Sequence, residues 1–391
     1  MKMNFHLNDI QKEFKQTARK FFKEKCGVEE LRAFEANPHH YSEKLYKELV
    51  ELGFVGLIVP EQYGGFDGEF LDLAIVMEEA GWSLFQGPFL STIVSGVMPV
   101  LIHGTDQQKT NWLPAFANGE EKASYAIAEP QAHYKLEHLT LEAVPVGDKY
   151  VLNGTKLFVP FAQSVDKLFV VARTDQVAVG TEEGLTVFLV DRETKGIDVK
   201  DIPTISADGL CEVRFNQVEL SSEQILGQVG GGFQIASEMI TFATALKSVE
   251  MTGVLSRAVD ITADYVKERH QFNVPIGSFQ AVQHRLADMF TIVEGGRLAA
   301  FHAFTKLVEG QNAKEEVAIA KAWLSQEGQK VVTGAHQLHG GMGIDYDYPL
   351  QFCYRRFKGQ QLEYGTSEFH LRNLGEWLSI KPEAPSKVSS M

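Results

Sequence analysis

The decisive stretch runs Glu268-Arg269-His270-Gln271-Phe272, then Pro275-Ile276, then Phe279-Gln280-Ala281-Val282-Gln283 and Leu286-Ala287-Asp288-Met289. Before it, Leu255, Val259, Thr262, Ala263 and Val266 share one helical face. After it, Val282, Leu286, Met289 and Val293 share another. A further helical segment runs from about Val317 to His336, and with a last one these long helices predict a bundle. The helical pattern begins near Gly230.

Upstream, between about Lys122 and Gln228, the pattern is different. Tyr150-Val151-Leu152, Lys167 to Ala172, Leu185 to Val190 and Glu212 to Val218 are short β-rich runs. Asn153-Gly154 and Asp208-Gly209 read as the turns between them. A small barrel or sandwich is expected. The first third is helical again. Ile10, Phe14, Thr17, Ala18, Phe21 and Phe22 fall at helical spacing, with Asn8 placed to cap the start. Leu45, Leu49 and Leu52 make a second stripe ending at Gly53. Phe70 to Ala80 makes another helix, and breaks are expected near Trp82, Trp112 and Pro114. The expected organisation is an N-terminal α-helical domain at 1–121, a central β domain at 122–228, a C-terminal four-helix bundle at 229–380 and a disordered tail at 381–391.

Composition narrows the function classes. The 391 residues are too many for one core to be the default, and 44% hydrophobic with 23% charged content is that of a soluble globular chain. A net charge of −14 argues against a general affinity for nucleic acid or anionic membrane, so an anionic ligand needs a local site. Cys26, Cys211 and Cys353 are odd in number and widely spaced, which gives neither a disulfide framework nor a metal pair and suits a cytoplasmic protein. No apolar run reaches the roughly 18–20 residues a bilayer span needs.

Three further segments stand beside the first: Pro60-Glu61-Gln62-Tyr63-Gly64-Gly65, Gln337-Leu338-His339-Gly340-Gly341-Met342-Gly343 with Tyr348-Pro349, and Tyr354-Arg355-Arg356 leading to Tyr364-Gly365-Thr366-Ser367-Glu368. In order and spacing the four together resemble the acyl-CoA dehydrogenases across nearly the whole chain. The resemblance implies FAD, a CoA thioester substrate, a homo- or hetero-tetramer, and an electron-transfer flavoprotein as acceptor. The implied reaction takes the α proton of an acyl-CoA with a carboxylate while the β hydride goes to the flavin, which needs an unprotonated, desolvated acid within reach.

The chain departs from the family where that chemistry is done. The usual base precedes Gly-Thr, and Tyr364 stands there, with a phenol whose unperturbed pKa near 10 makes a poor base. The alternative base position, on the helix after Gly230-Gly231-Gly232-Phe233, falls on Ala243. Glu363 is adjacent, but one residue of helix or turn rotates a side chain by about 100°, so it is expected to point away, on the surface or in an ion pair, unless the loop slips. Where the family's Thr-Glu-Pro-Gly-x-Gly-Ser-Asp holds flavin and CoA, this chain has Ala128-Glu129-Pro130-Gln131-Ala132-His133-Tyr134-Lys135. Where Trp-x-Thr packs on the flavin it has Phe158-Val159-Pro160, and Pro160 brings neither hydroxyl nor N–H.

Other matches remain. Arg269, Gln271, Phe272, Gln280, Gln337, Gly340 and Gly341 match donors that family members extend to the ADP half of a neighbouring subunit's flavin, and Thr366 and Glu368 match flavin contacts of the Gly-Thr loop. Arg269 can meet a pyrophosphate with two bonds, and glycines let amides approach phosphate. The pattern resembles the non-catalytic β-type subunit of an α2β2 enzyme, partnered by a second acyl-CoA dehydrogenase subunit. Two alternatives stand beside it: a self-sufficient homomeric dehydrogenase using Glu363 or another carboxylate, and a flavin-free scaffold or acyl-CoA-binding protein.

Overall fold

The protein's structure is a computed structural model that describes residues 7–132, 134–175 and 179–380; the tail at 381–391 and His133 lie outside the described residues. Helix α1 (Asp9–Lys25) starts as its sequence predicts. The Asn8 side chain accepts the Gln11 N–H at 2.8 Å and Gln11 accepts the Asn8 N–H at 3.1 Å, which satisfies two otherwise orphaned donors. Then follow α2 (Val28–Ala36), α3 (Glu43–Glu51) and α4 (Phe70–Trp82), then α5 (Phe89–Ser91), a π-helical stretch Thr92–Val97, α6 (Met98–His103) and α7 (Asp106–Ala117). Pro114, expected at a break, lies inside α7; its carbonyl still accepts the Asn118 N–H at 3.0 Å, and the helix ends at Ala117.

The strands are β1 (Ala123–Ala126), β2 (Glu142–Val146), β3 (Lys149–Pro160), β4 (Lys167–Arg173), β5 (Leu185–Asp191), β6 (Ile197–Asp201), β7 (Leu210–Ser221) and β8 (Ile225–Leu226). They form one eight-stranded mixed sheet ordered β6-β7-β3-β2-β4-β5-β8, with β1 parallel to β4. Asn153-Gly154 is not a turn. It lies inside β3 at a bulge, where pairing with β7 passes from Leu152↔Val218 to Gly154↔Phe215. The Asn153 side chain accepts the Gln217 N–H at 2.9 Å across that bulge.

The C-terminal part holds α8 (Gly232–Glu268), a tight hairpin of β9 (His270–Gln271) and β10 (Val274–Pro275), α9 (Gln280–Val308), α10 (Lys314–His339), α11 (Leu350–Leu362) and α12 (Ser367–Ile380). Helix α8 packs against α9, α10 and α11, and α12 lies along α10. Helix α4 crosses α8 with the backbones almost touching. A Cβ on Gly81 would come within 2.1 Å of the Glu250 carbonyl oxygen, and one on Gly253 within 2.1 Å of the Glu78 carbonyl oxygen. Only glycine permits that approach. Trp82 secures the crossing, donating Nε1–H to Asp260 at 2.7 Å while the guanidinium groups of Arg19 and Arg257 lie over its ring. The crossing brings Met77 and Ala80 of α4 opposite Lys247 and Glu250 of α8, across one cavity.

Candidate functional site

The site is built on the segment after α11. Glu363 is extended at φ −61°, Tyr364 is left-handed at φ 56°, and Gly365 follows at φ 103°. A tyrosine in that region is strained by about 1–3 kcal/mol, so its surroundings must hold it. His370 of α12 donates to the Tyr364 carbonyl at 3.0 Å. The buried Lys321 ammonium of α10 donates to the carbonyls of Gln360 at 2.8 Å, Gln361 at 3.3 Å and Gly365 at 3.2 Å, and to Ser325 Oγ at 3.2 Å. It caps α11 and ties the loop down. Burial pushes the Lys321 ammonium down to about 7. Burial, with Lys321 adding repulsion, pushes His370 down to about 4.

Glu363 does not point away. It lines the same cavity as Tyr364, because the two residues sit in an extended-to-left-handed turn where the helical rotation between neighbours does not apply. It is also ion-paired: Glu363 Oε2 lies 3.1 Å from Lys247 Nζ, which is 2.8 Å from Glu250 Oε2 on the same helix. Burial lifts the Glu363 carboxyl above the usual carboxylate range, with Lys247 pulling the other way. Burial would lower Lys247, but Glu250 and Glu363 outweigh it and hold the ammonium above the ordinary lysine value. Tyr364 hydrogen-bonds through its hydroxyl to Tyr125 of β1, and burial, then Glu363, put its phenol well above 10. At neutral pH Tyr364 is therefore an un-ionised phenol. Ala243 is buried one turn before Lys247 and does not line the cavity.

The cavity, of about 80 Å³, is partly open and is lined on its other sides by the segment Phe85–Ser91, by the end of β3 at Pro160 and Phe161, by the β6–β7 loop and by α11. That loop approaches α11 at Gly359, where a Cβ would come within 2.3 Å of Ser206 Oγ. Sequence reasoning missed most of this lining. Lys247 and Glu250 show only as an i,i+3 charge pair in an apolar helix, Gln86 carries no local signal, and Arg356 shows only as part of the Tyr354-Arg355-Arg356 segment; behind the lining, Lys321 shows only as a lone charge in an apolar helix and Tyr125 carries no signal.

FAD, which the resemblance implies, can be tested against the residues present. Of the positions expected to meet the flavin ring, Ala128 is exposed, has no hydroxyl, and its carbonyl already accepts the Leu157 N–H at 2.9 Å; Pro160, which lines the cavity, has no donor. Tyr134, from the segment replacing Gly-x-Gly-Ser, donates to the Leu362 carbonyl at 3.1 Å and packs on Phe369, bridging the sheet to the α11–α12 turn. Glu129 is buried and fully used: it accepts from Lys156 Nζ at 2.6 Å, the Thr140 N–H at 2.6 Å, Thr140 Oγ at 2.8 Å and the Leu141 N–H at 3.0 Å. This side does not offer a flavin ring the expected donors.

The outward set fits better. Arg269, Gln271, Phe272, Gln280, Gln337, Gly340 and Gly341 are all exposed. They gather at one end of the bundle, where Tyr265, one turn before Arg269, stacks at 4.2 Å on His339, next to Gly340. Among the described residues the Arg269 side chain has no hydrogen bond or ion pair, and a Cβ on Gly340 or Gly341 would meet nothing within 4 Å. Phe272 is 87% exposed at φ 55°, in a hairpin turn where Asn273 is also at positive φ. The Gly340 N–H donates to the His336 carbonyl, so it is an open arginine beside the unobstructed Gly341 that suits a pyrophosphate. Thr366 instead caps α12 by accepting the Phe369 N–H at 3.3 Å, and Glu368 is exposed, paired with Arg372 at 3.0 Å. Among the described residues no group of three or more His, Cys, Asp or Glu could hold a metal, and burial lifts Cys26 and Cys353 up to about 12, far from a thiolate.

Three family descriptions match in order: the acyl-CoA dehydrogenase N-terminal domain over residues 8–120, the middle domain over 124–218 and the C-terminal domain over 230–379. The 3-(aryl)acrylate reductase of Clostridium sporogenes is 31% identical over 84% of this chain and 88% of its own. Butyryl-CoA dehydrogenase from Megasphaera elsdenii superposes with a TM-score of 0.88 at 29% identity, covering 96% of this chain and all of that one. The ChsE4–ChsE5 complex from Mycobacterium tuberculosis does so with a TM-score of 0.88 at 26% identity, covering 97% and 100%.

Proposed function

The chain belongs to the acyl-CoA dehydrogenase family of FAD flavoproteins, and we propose that within it this protein is the FAD-sharing, non-catalytic subunit of a heteromeric enzyme. The carrying observation is Tyr364: an un-ionised phenol bonded to Tyr125 stands where the family places its base, and Ala243 fills the other base position. Arg269, Gln271, Phe272, Gln280, Gln337 and the Gly340-Gly341 turn, through the Gly341 amide, would hold the ADP half of a flavin whose ring lies mainly in a second acyl-CoA dehydrogenase subunit. When bound, the flavin supplies hydride acceptance, and an electron-transfer flavoprotein would reoxidise it. The ChsE4–ChsE5 complex supports the reading as a relative built of two chains. The three units fall near residues 1–121, 122–228 and 229–380. Among the described residues no helix is long and apolar enough to cross a membrane.

Flavin absorbance tests this. The purified chain alone should carry little FAD and oxidise no saturated acyl-CoA, and co-expression with the partner subunit should give a stoichiometry below one flavin per chain. A full flavin on the lone chain sinks the proposal. A second reading is favoured by one observation: Glu363 lines the cavity, and burial raises its pKa toward the range of a useful base. In that homomeric reading the lone chain turns over acyl-CoA and Glu363→Gln abolishes it.

A further inference from the structure

Resting on the shared-flavin reading, we infer that Tyr265, His339 and Tyr348 are positioning residues for the ADP half of that flavin: they set where Arg269 stands relative to Gly341. These two groups belong to different elements, Arg269 at the end of α8 and Gly341 just past the end of α10. Each is a short step from the three rings. The Arg269 N–H donates to the Tyr265 carbonyl at 2.8 Å, and His339, the last residue of α10, is followed directly by Gly340 and Gly341. The Tyr265 and His339 rings stack with centroids 4.2 Å apart and planes 24° from parallel. Tyr348, just before α11, completes the group, its ring 5.3 Å from His339 and 6.5 Å from Tyr265.

His339 is 4% exposed, and both its ring nitrogens are spoken for. Nδ1 lies 2.8 Å from the Ala335 carbonyl, which can only accept, so Nδ1 carries the proton. Nε2 then accepts the Tyr348 hydroxyl at 3.2 Å. Burial lowers the pKa of the ring and so favours this neutral form. The Tyr348 bond also runs from the far end of the loop at 340–347 back to its start, where Gly340 turns the chain at φ 59° and ψ −136°, backbone that glycine permits. Helix ends fray, whereas a two-bond arginine contact demands a fixed geometry. The stack ties the end of α8 to the end of α10, and the Tyr348 hydroxyl holds the stacked imidazole in its orientation.

FAD retention by the assembled enzyme, read as flavin stoichiometry after dialysis and set beside thermal melting, decides the matter. Tyr265→Leu removes the stack, and Tyr348→Phe removes only a hydroxyl. Each should weaken retention about three- to tenfold with little change in melting. Tyr265→Phe keeps the stack and should retain flavin as the unaltered protein does. Arg269→Ala is measured alongside. If it weakens retention and either Tyr265→Leu or Tyr348→Phe leaves retention unchanged, the inference falls and the shared-flavin reading stands. If none of the three changes retention, or the assembled enzyme holds no flavin, both fall. Equal losses from Tyr265→Phe and Tyr265→Leu, or losses that only track a fallen melting temperature, assign the rings to folding alone and overturn the inference.

Discussion

Glu363 Oε2 and Lys247 Nζ stand 3.1 Å apart, and Lys247 is the cation that α8 contributes to the cavity shared with Tyr364. Tyr364→Glu would place a second carboxyl beside Glu363 with Lys247 already shared by Glu363 and Glu250. Like charges in a buried site cannot all ionise, so the new carboxyl is held protonated. It also severs the bond to Tyr125 and repairs neither Ala128 nor Pro160. The variant chain alone should stay inactive with butyryl-CoA and an artificial electron acceptor. Turnover near that of an ordinary dehydrogenase would show the flavin-ring site to be intact.

Glu129 is a second buried carboxylate, and its role is structural. Burial would raise its pKa, but Lys156 and Thr140 outweigh that and hold it below the usual range. Glu129→Gln leaves the fully buried Lys156 ammonium without its counter-ion, which costs about 3–5 kcal/mol. Denaturant unfolding should show a midpoint shift of that order, and Lys156→Met combined with it should recover part of the loss. A neutral single variant would mean that this segment is not held by the pair.

His370 gives the chain a built-in acid sensitivity. Its pKa falls from 6.5 to about 4 on folding, through burial first and Lys321 second. Below about pH 6.5 the unfolded chain takes up a proton that the folded chain refuses, so stability is lost as pH falls from 6.5 toward 4 and is fully present above 6.5. The shift corresponds to on the order of 3 kcal/mol. His370→Gln can still donate to the Tyr364 carbonyl and has nothing to titrate. Melting curves between pH 7 and 4.5 should therefore slope less for the variant; parallel slopes would remove His370 from the account.

The helical layout was legible because it rests on periodicity, and the Asn8 cap because it rests on two neighbouring side chains. Asn153-Gly154 was misread because a bulge needs the same permissive backbone as a hairpin turn, and the sequence does not say which neighbour strand passes alongside. Glu363 was misplaced because the rotation between neighbours was taken from a helix that ends at Leu362. The lining of the cavity was hidden for another reason. Lys247 reaches Glu363 through the packing of α8 on α11, Met77 and Ala80 reach the same cavity through the α4–α8 crossing, and Tyr364 is held from behind by Tyr125 of β1, none of which a local pattern encodes.

Arg269 carries the shared-flavin proposal. Its backbone is committed to structure, donating to Tyr265 and accepting from Ile276, each at 2.8 Å, but its guanidinium is exposed and has no protein partner among the described residues. A charge-assisted pair with a pyrophosphate contributes about 1.5–3 kcal/mol. Arg269→Ala should then weaken FAD retention by the assembled enzyme about ten- to a hundredfold, read as flavin stoichiometry after dialysis. The fold should not notice, since the helix end and hairpin keep their backbone bonds and no core contact is lost. Circular dichroism melting is the control. Unchanged flavin content beside a marked loss of thermal stability would assign the side chain to structure, and Gln337, Gly340 and Gly341 could not sustain the shared site without it.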